Sequence, residues 1–219
     1  MTMTRILTLS ALVISINISI FCQYPTDLKT GLYNNVEDLL NNNPKYEGKL
    51  DVKHRAITDI QLWGGNDYKV KIDTLNINKS LINKCFAVFD GDSLYINGKY
   101  INGSKPFCKV ENNGRYLVLK GGIPSMSKRK SVGYKNSMAQ IDYVPVGGFV
   151  GGAATGAQLA MIRLNYILDC KNGRSKILTK DYISTLLMDY PDLKSEFESE
   201  KETENQTVLL EYLNKMNEK

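Results

Sequence analysis

Ser125-Met126-Ser127-Lys128 reproduces the bare S-x-x-K of penicillin-recognising enzymes, in which a lysine one helical turn from a serine accompanies its use as a nucleophile. No Ser-Asp-Asn or Lys-Thr-Gly element accompanies it, and its context is a polar loop rather than a helix start, so it reads as a chance match. No G-x-S-x-G is present. The chain has one histidine, His54, set in the polar DVKHRA, where an exposed surface residue is the better reading than a general base. Carboxylates occur in pairs at Glu37-Asp38 and Asp90-x-Asp92, and acid pairs that hydrolyse glycosides are defined by their separation in space rather than in sequence. A carboxylate-dependent secreted hydrolase therefore stays open as the alternative function.

Metal and phosphate chemistry find less support. Asp90-Gly91-Asp92 is too short for a twelve-residue calcium loop and fits a hairpin turn. Cys85, Cys108 and Cys170 lie far apart in sequence, which argues against a zinc site. Cys85 and Cys108 fall in neighbouring strands on this reading, so strand registry decides whether they bridge; buried free thiols are the preferred expectation. Gly147-Gly148 and Gly151-Gly152 do not make a G-x-G-x-x-G with an acidic partner, and no G-K-[ST] follows. The expectation is no catalytic residue, no cofactor and no metal.

What would position such groups is set by the pattern of the 219-residue chain. Residues 1–22 have a charged start at Arg5, an apolar run from Ile6 to Phe21 and an end at Cys22-Gln23, the layout of a cleavable signal peptide. Cleavage leaves roughly 197 residues, within the range of one domain or one domain with an appendage. The formal charge of +5 is spread among interspersed acids and bases, with a basic knot at Ser127-Lys128-Arg129-Lys130-Ser131 and an acid-rich stretch from Asp192 to Glu204. No basic-aromatic stripe occurs, so nucleic acid is not an expected partner.

Periodicity then predicts the elements. Asn34 or Asn35 caps a short helix carrying Val36, Leu39 and Leu40, and Asn43-Pro44 stops it. From Arg55 to Leu119, short runs such as AITDIQLW, YKVKID, CFAVFD, SLYIN, KYIN, FCKV and RYLVLKG alternate with Gly and Asn turns and read as strands. The tandem YINGKYING reads as one hairpin edge. Phe86, Val88, Leu94, Ile96, Phe107, Tyr116 and Val118 take alternating positions and are expected mostly on one buried side. Leu164, Tyr166 and Leu168 approach a Lys171-Asn172-Gly173 turn. Thr179 caps a helix with Ile183, Leu186 and Leu187; Pro191 breaks the run; and two further helices cover Asp192 to about Lys201 and Gln206 to Met216.

The fold class expected is α+β: an antiparallel β-meander sheet, then a Gly-zipper apolar helix, a short hairpin and C-terminal helices. Its parts are the signal peptide (1–22), a β-rich domain with a short N-terminal helix (23–122), a polar basic linker or loop (123–142), a Gly-rich apolar segment read as helical (143–162), and the hairpin with C-terminal helices (163–219). In the fourth part, VGGFVGGAATGAQLAMI, each glycine inside a helix costs ~1 kcal/mol relative to alanine, so something must compensate. Gly148, Gly152, Gly156 and Ala160 fall on one helical face and form a close-packing or oligomer face. Hydropathy leaves a membrane crossing near balance, because Val144, Val146, Phe149, Val150, Leu159 and Ile162 are offset by five glycines, Pro145, Thr155 and Gln158.

GLYNNVEDLLNNNP, FAVFDGDSLYING, GRYLVL, the Gly-zipper stretch, YILDCKNGRSKILT and LLMDYPDLKSEFESE together resemble exported proteins of uncharacterised function abundant in Bacteroidota. The resemblance spans most of the mature chain, implies export, and brings no activity with it. The expected function is an exported noncatalytic cell-envelope protein, in the periplasm or envelope. It would be a binding or structural module, partnered through residues 143–162 by a membrane, another copy or its own fold, or elsewhere by a protein or glycan.

Overall fold

The computed structural model describes residues 23–71, 79–134 and 152–219. The fold is α+β, with every strand pairing antiparallel. The first sheet is built from β1 (Gly31–Tyr33), β2 (Tyr46–Glu47), β3 (Asp51–His54), β4 (Tyr68–Lys71), β5 (Ala87–Phe89), β6 (Leu94–Asn97) and β7 (Phe107–Lys109), in the order β2-β1-β5-β6-β7-β4-β3. The expected meander is its centre, β5-β6-β7. The second sheet is β10-β9-β8, from β8 (Tyr116–Gly121), β9 (Leu164–Asp169) and β10 (Arg174–Ile177). Among the described residues a bridge between Val110 and Leu119 joins the two sheets.

Among the described residues the helices are α1 (Val36–Leu40), α2 (Ile57–Trp63), α3 (Lys79–Lys84), α4 (Gly98–Ile101), α5 (Arg129–Val132), α6 (Gly152–Met161), α7 (Lys180–Leu186), α8 (Pro191–Ser199) and α9 (Gln206–Asn217). The cap signals at both ends of the chain hold. Asn35 Oδ1 accepts from the Asp38 amide at 2.7 Å to start α1, and Thr179 Oγ1 accepts from the Tyr182 amide at 3.3 Å to start α7. Pro191 does more than interrupt, because it occupies the first turn of α8, where its missing N–H has no partner to lose.

Two strand expectations are corrected. AITDIQLW is α2: Ala56 occupies its N-cap, Ile60 is its one buried residue, and Gly64, which follows it at φ 60°, is a helix stop. The second half of YINGKYING is α4. Asn97 Oδ1 accepts from the Lys99 amide at 3.1 Å, capping a helical turn where a hairpin edge was expected.

The central strands β5, β6, β8 and β9 are buried on both faces, so the expected single buried side is also corrected. Ala87, Leu94, Ile96, Cys108, Leu117, Leu119, Tyr166 and Leu168 form a core from both sheets. Val88, Tyr95 and Phe107 face the other way, onto Leu32, Leu50 and Ile82. Tyr116, Val118 and Ile167 carry the far face of the second sheet into α7, α8 and α9, through Ile183, Phe197, Leu209 and Tyr212. All seven residues of the expected apolar set are buried, but they are divided among three cores. Alternation of apolar with apolar, as in Tyr116-Leu117-Val118-Leu119, is the sequence sign of a strand with two buried faces.

Cys85, Cys108 and Cys170 are buried, and Cys85 and Cys108 are free thiols. The Gly-rich segment is helical from Gly152 to Met161, while Gly148 lies outside the described residues. Among the described residues no helix is long and apolar enough to cross a membrane.

Candidate functional site

The residues with catalytic types do not converge. Asp90 Oδ1 accepts from the amides of Asp92 and Ser93 at 3.0 and 2.8 Å, and Asp92 Oδ2 accepts from Ser93 Oγ at 2.9 Å, which is turn chemistry. Glu37 and Asp38 form the first turn of α1, where Asp38 Oδ2 accepts from the Asn34 amide at 3.3 Å. His54 is exposed at the end of β3, with Nδ1 2.7 Å from the Arg55 carbonyl oxygen and its ring edge-on to Tyr68. Ser125 Oγ meets Ser127 Oγ at 3.2 Å. Among the described residues no group of three or more His, Cys, Asp or Glu side chains can hold a metal ion.

The structure instead brings together α2, the segment Ile123–Met126 and α6, around a groove of about 870 Å³. Leu62, Ile123, Pro124, Met126 and Leu159 give it an apolar lining, with Thr58, Gln61 and Arg129 as polar members. Gly156 and Ala160, half of the expected close-packing face, line this groove. A Cβ built at Gly156 meets no atom within 4 Å, so at this position the small side chain borders open space.

Two buried polar devices hold the groove's walls. At the end of α2, Arg55 is buried and donates through Nη1 to the carbonyls of Gly64 and Asn66 at 2.7 and 2.8 Å, and through Nη2 to that of Asp59 at 3.0 Å. The guanidinium is thus held by three carbonyls, and that of Gly64, at the helix C-terminus, carries the partial negative charge of that end. Below it, Asn66 and Asn102 exchange amide hydrogen bonds: Asn66 Nδ2 donates to Asn102 Oδ1 at 3.2 Å, and Asn102 Nδ2 donates to Asn66 Oδ1 at 2.7 Å. Asn66 also donates to the Ser104 carbonyl at 2.7 Å and accepts from the Gly122 amide at 3.0 Å. The Gly122 carbonyl accepts from Asn102 Nδ2 at 3.0 Å and from the Tyr166 hydroxyl at 2.7 Å. Burial raises the Tyr166 pKa, which keeps that hydroxyl a donor.

This junction sits beside Gly98, where a Cβ would lie 1.9 Å from Asn66 Nδ2 and 2.0 Å from the Ser104 oxygen; no side chain fits there. The far wall is fixed by Arg163, which follows α6. Its Nε lies 2.9 Å from both Asp67 carboxylate oxygens, and its Nη1 donates to the carbonyls of Ala160 and Ile162 at 2.8 Å. One side chain thus ties the C-terminal end of α6 to the start of β4, next to the α2 turn.

Leu62 and Met126, 74% and 76% exposed, form the groove's rim, and Trp63, next in α2 and 82% exposed, extends it to a second hollow that it borders with Lys69, Lys105 and Pro106. Lys69 pairs with Asp59 at 3.7 Å. Among the described residues no carboxylate pairs with Lys105, Lys128, Arg129 or Lys130. Arg129 packs over the Tyr134 ring at 4.8 Å and donates Nε to the Pro124 carbonyl at 3.4 Å.

The rim and junction were not anticipated from sequence. The available signal was a large apolar pair, Leu62-Trp63, directly before Gly64-Gly65: at a helix stop such a pair is thrown outward, while in a strand one member would have pointed in.

The two antiparallel sheets, three cores and packed helices place the chain in the α+β class. Within that class the chain matches a family of unknown function, DUF6563, over residues 31–219, and it belongs to that family. Neither the curated proteins nor the solved structures contain a match.

Proposed function

We propose that this chain is an exported, noncatalytic protein of the cell envelope, of the Bacteroidota type, that works as a binding module through the groove between α2 and α6. The observation that carries the reading is the rim: Leu62 and Met126 line the apolar groove and Trp63 the hollow next to it, each about three-quarters exposed or more, on a body whose other large apolar groups are mostly buried. Contiguous exposed apolar surface of that kind marks interaction sites. The signal-like residues 1–22 support export. The Gly-rich segment contributes through α6, which forms one wall and packs beside α2.

Fractionation and crosslinking in living cells test the two halves. The mass of the chain recovered from the envelope or medium is expected to correspond to a start at Gln23. A photoreactive residue in place of Leu62 is expected to give adducts that the same residue in place of exposed Glu198 does not. A cytoplasmic chain of full length would remove the export reading, and silence at position 62 would remove the binding site.

A further inference from the structure

We propose that the rim formed by Leu62, Trp63 and Met126 seats the protein on an anionic lipid surface. The inference rests on the groove being a docking surface and names what docks there. Three observations carry it. First, Leu62 and Met126 at the groove and Trp63 at the neighbouring hollow are large apolar groups with exposures of 74%, 76% and 82%. A partner helix would be gripped by walls inside a groove, whereas a flat apolar phase meets what protrudes. Tryptophan is also the side chain, with tyrosine, that concentrates at the boundary between water and lipid.

Second, basic residues adjoin the protruding groups. Lys105 lines the same hollow as Trp63, and Lys128 follows Met126 by two residues, next to Arg129 of the groove lining. With Arg129 and Lys130 they lack carboxylate partners among the described residues. Basic side chains close to an anionic leaflet each strengthen binding about fivefold. Third, the backbone beneath Trp63 is fixed by the Gly64 and Asn66 carbonyl bonds to Arg55, so insertion orders little that is not already ordered.

Trp63 is the chain's only tryptophan, so its emission reports on this site alone. The chain starting at Gln23, which contains all three cores, is mixed with vesicles of phosphatidylethanolamine and phosphatidylglycerol, and separately with phosphatidylcholine vesicles. The expected result is a blue shift on the anionic vesicles, quenching by brominated lipid, and a response more than tenfold weaker on phosphatidylcholine. L62E/M126E, which changes only exposed positions, is expected to abolish the response, and Lys105→Gln to weaken it about fivefold. An unmoved Trp63 spectrum overturns the proposal. So does sedimentation that persists in L62E/M126E, which would assign lipid binding to another segment. A shift produced by an acidic amphipathic peptide and not by vesicles would also overturn it, while leaving the groove as a protein-docking site. Crosslinks from position 62 without any vesicle response would have the same meaning.

Discussion

Replacing Asn66 by alanine tests the buried junction beneath the groove. The substitution deletes the amide that donates to Asn102, Ser104 and Pro106 and accepts from Asn102 and Gly122. Some former partners keep a second bond: the Pro106 carbonyl retains the Gly98 amide at 2.9 Å, Asn102 Oδ1 retains the Ser104 amide, and Asn102 Nδ2 retains the Gly122 carbonyl. The Gly122 amide and the Ser104 carbonyl lose the bonds described for them. Each buried group left unsatisfied costs ~1–3 kcal/mol, so Asn66→Ala is expected to destabilise by about 2–6 kcal/mol. Urea unfolding followed by far-UV circular dichroism measures this, and a change below about 1 kcal/mol would refute the reasoning. Gly98→Ala attacks the same node from the other side, because its Cβ collides with Asn66 Nδ2. The double variant should therefore fall short of the sum of the single ones, and additivity within ~0.5 kcal/mol would show that the two sites are independent.

Gly156→Ala is expected to stabilise by about 0.5–1 kcal/mol, since it removes a helix penalty and meets no atom; destabilisation in thermal melts would mean that this face is packed after all. Asp67→Asn leaves the guanidinium of Arg163 without its carboxylate in a site where both side chains are less than one-fifth exposed, and should cost about 3 kcal/mol by urea unfolding. Burial pushes Tyr33 and Tyr95 from 10 up to about 12, and Cys85 from 9 up to about 12. These groups are neutral when protonated, so above about pH 9 the unfolded chain releases protons that the folded chain keeps, and stability falls progressively toward pH 12; a stability constant from pH 8 to 11 would contradict this. Cys85 and Cys108 should resist maleimide until the protein unfolds, because burial suppresses the thiolate; rapid labelling of the native protein would refute it.

Local chemistry was readable where a signal and its consequence lie within one turn of chain. Asn35, Thr179 and the Lys171-Asn172-Gly173 turn act where their types and neighbours place them. The antiparallel class was readable from turn spacing, and the C-terminal helices from Leu193, Phe197, Leu209 and Leu213 at helical intervals. Partition of the strands between two sheets was not, because Tyr116-Leu117-Val118-Leu119 carries apolar groups on both faces and pairing partners are set by distant strands. Asn66 and Asn102 escaped for the same reason. An asparagine in a glycine-rich turn looks solvated, and only the approach of residues 36 positions apart makes it a buried hydrogen-bonding centre. The rim escaped because AITDIQLW reads as a strand when the Gly64-Gly65 stop is taken for a hairpin turn.

Asn217, near the end of α9, accepts from the Tyr116 amide at 2.9 Å and donates to the Tyr116 carbonyl at 3.0 Å, across a separation of 101 residues. The second sheet therefore cannot complete its bonding until a stretch made much later has arrived. At ribosomal speeds of roughly 5–20 residues per second, that interval lasts about 5–20 seconds. Were the chain exported as proposed above, that interval would leave a translocation channel seconds to engage it before this latch exists.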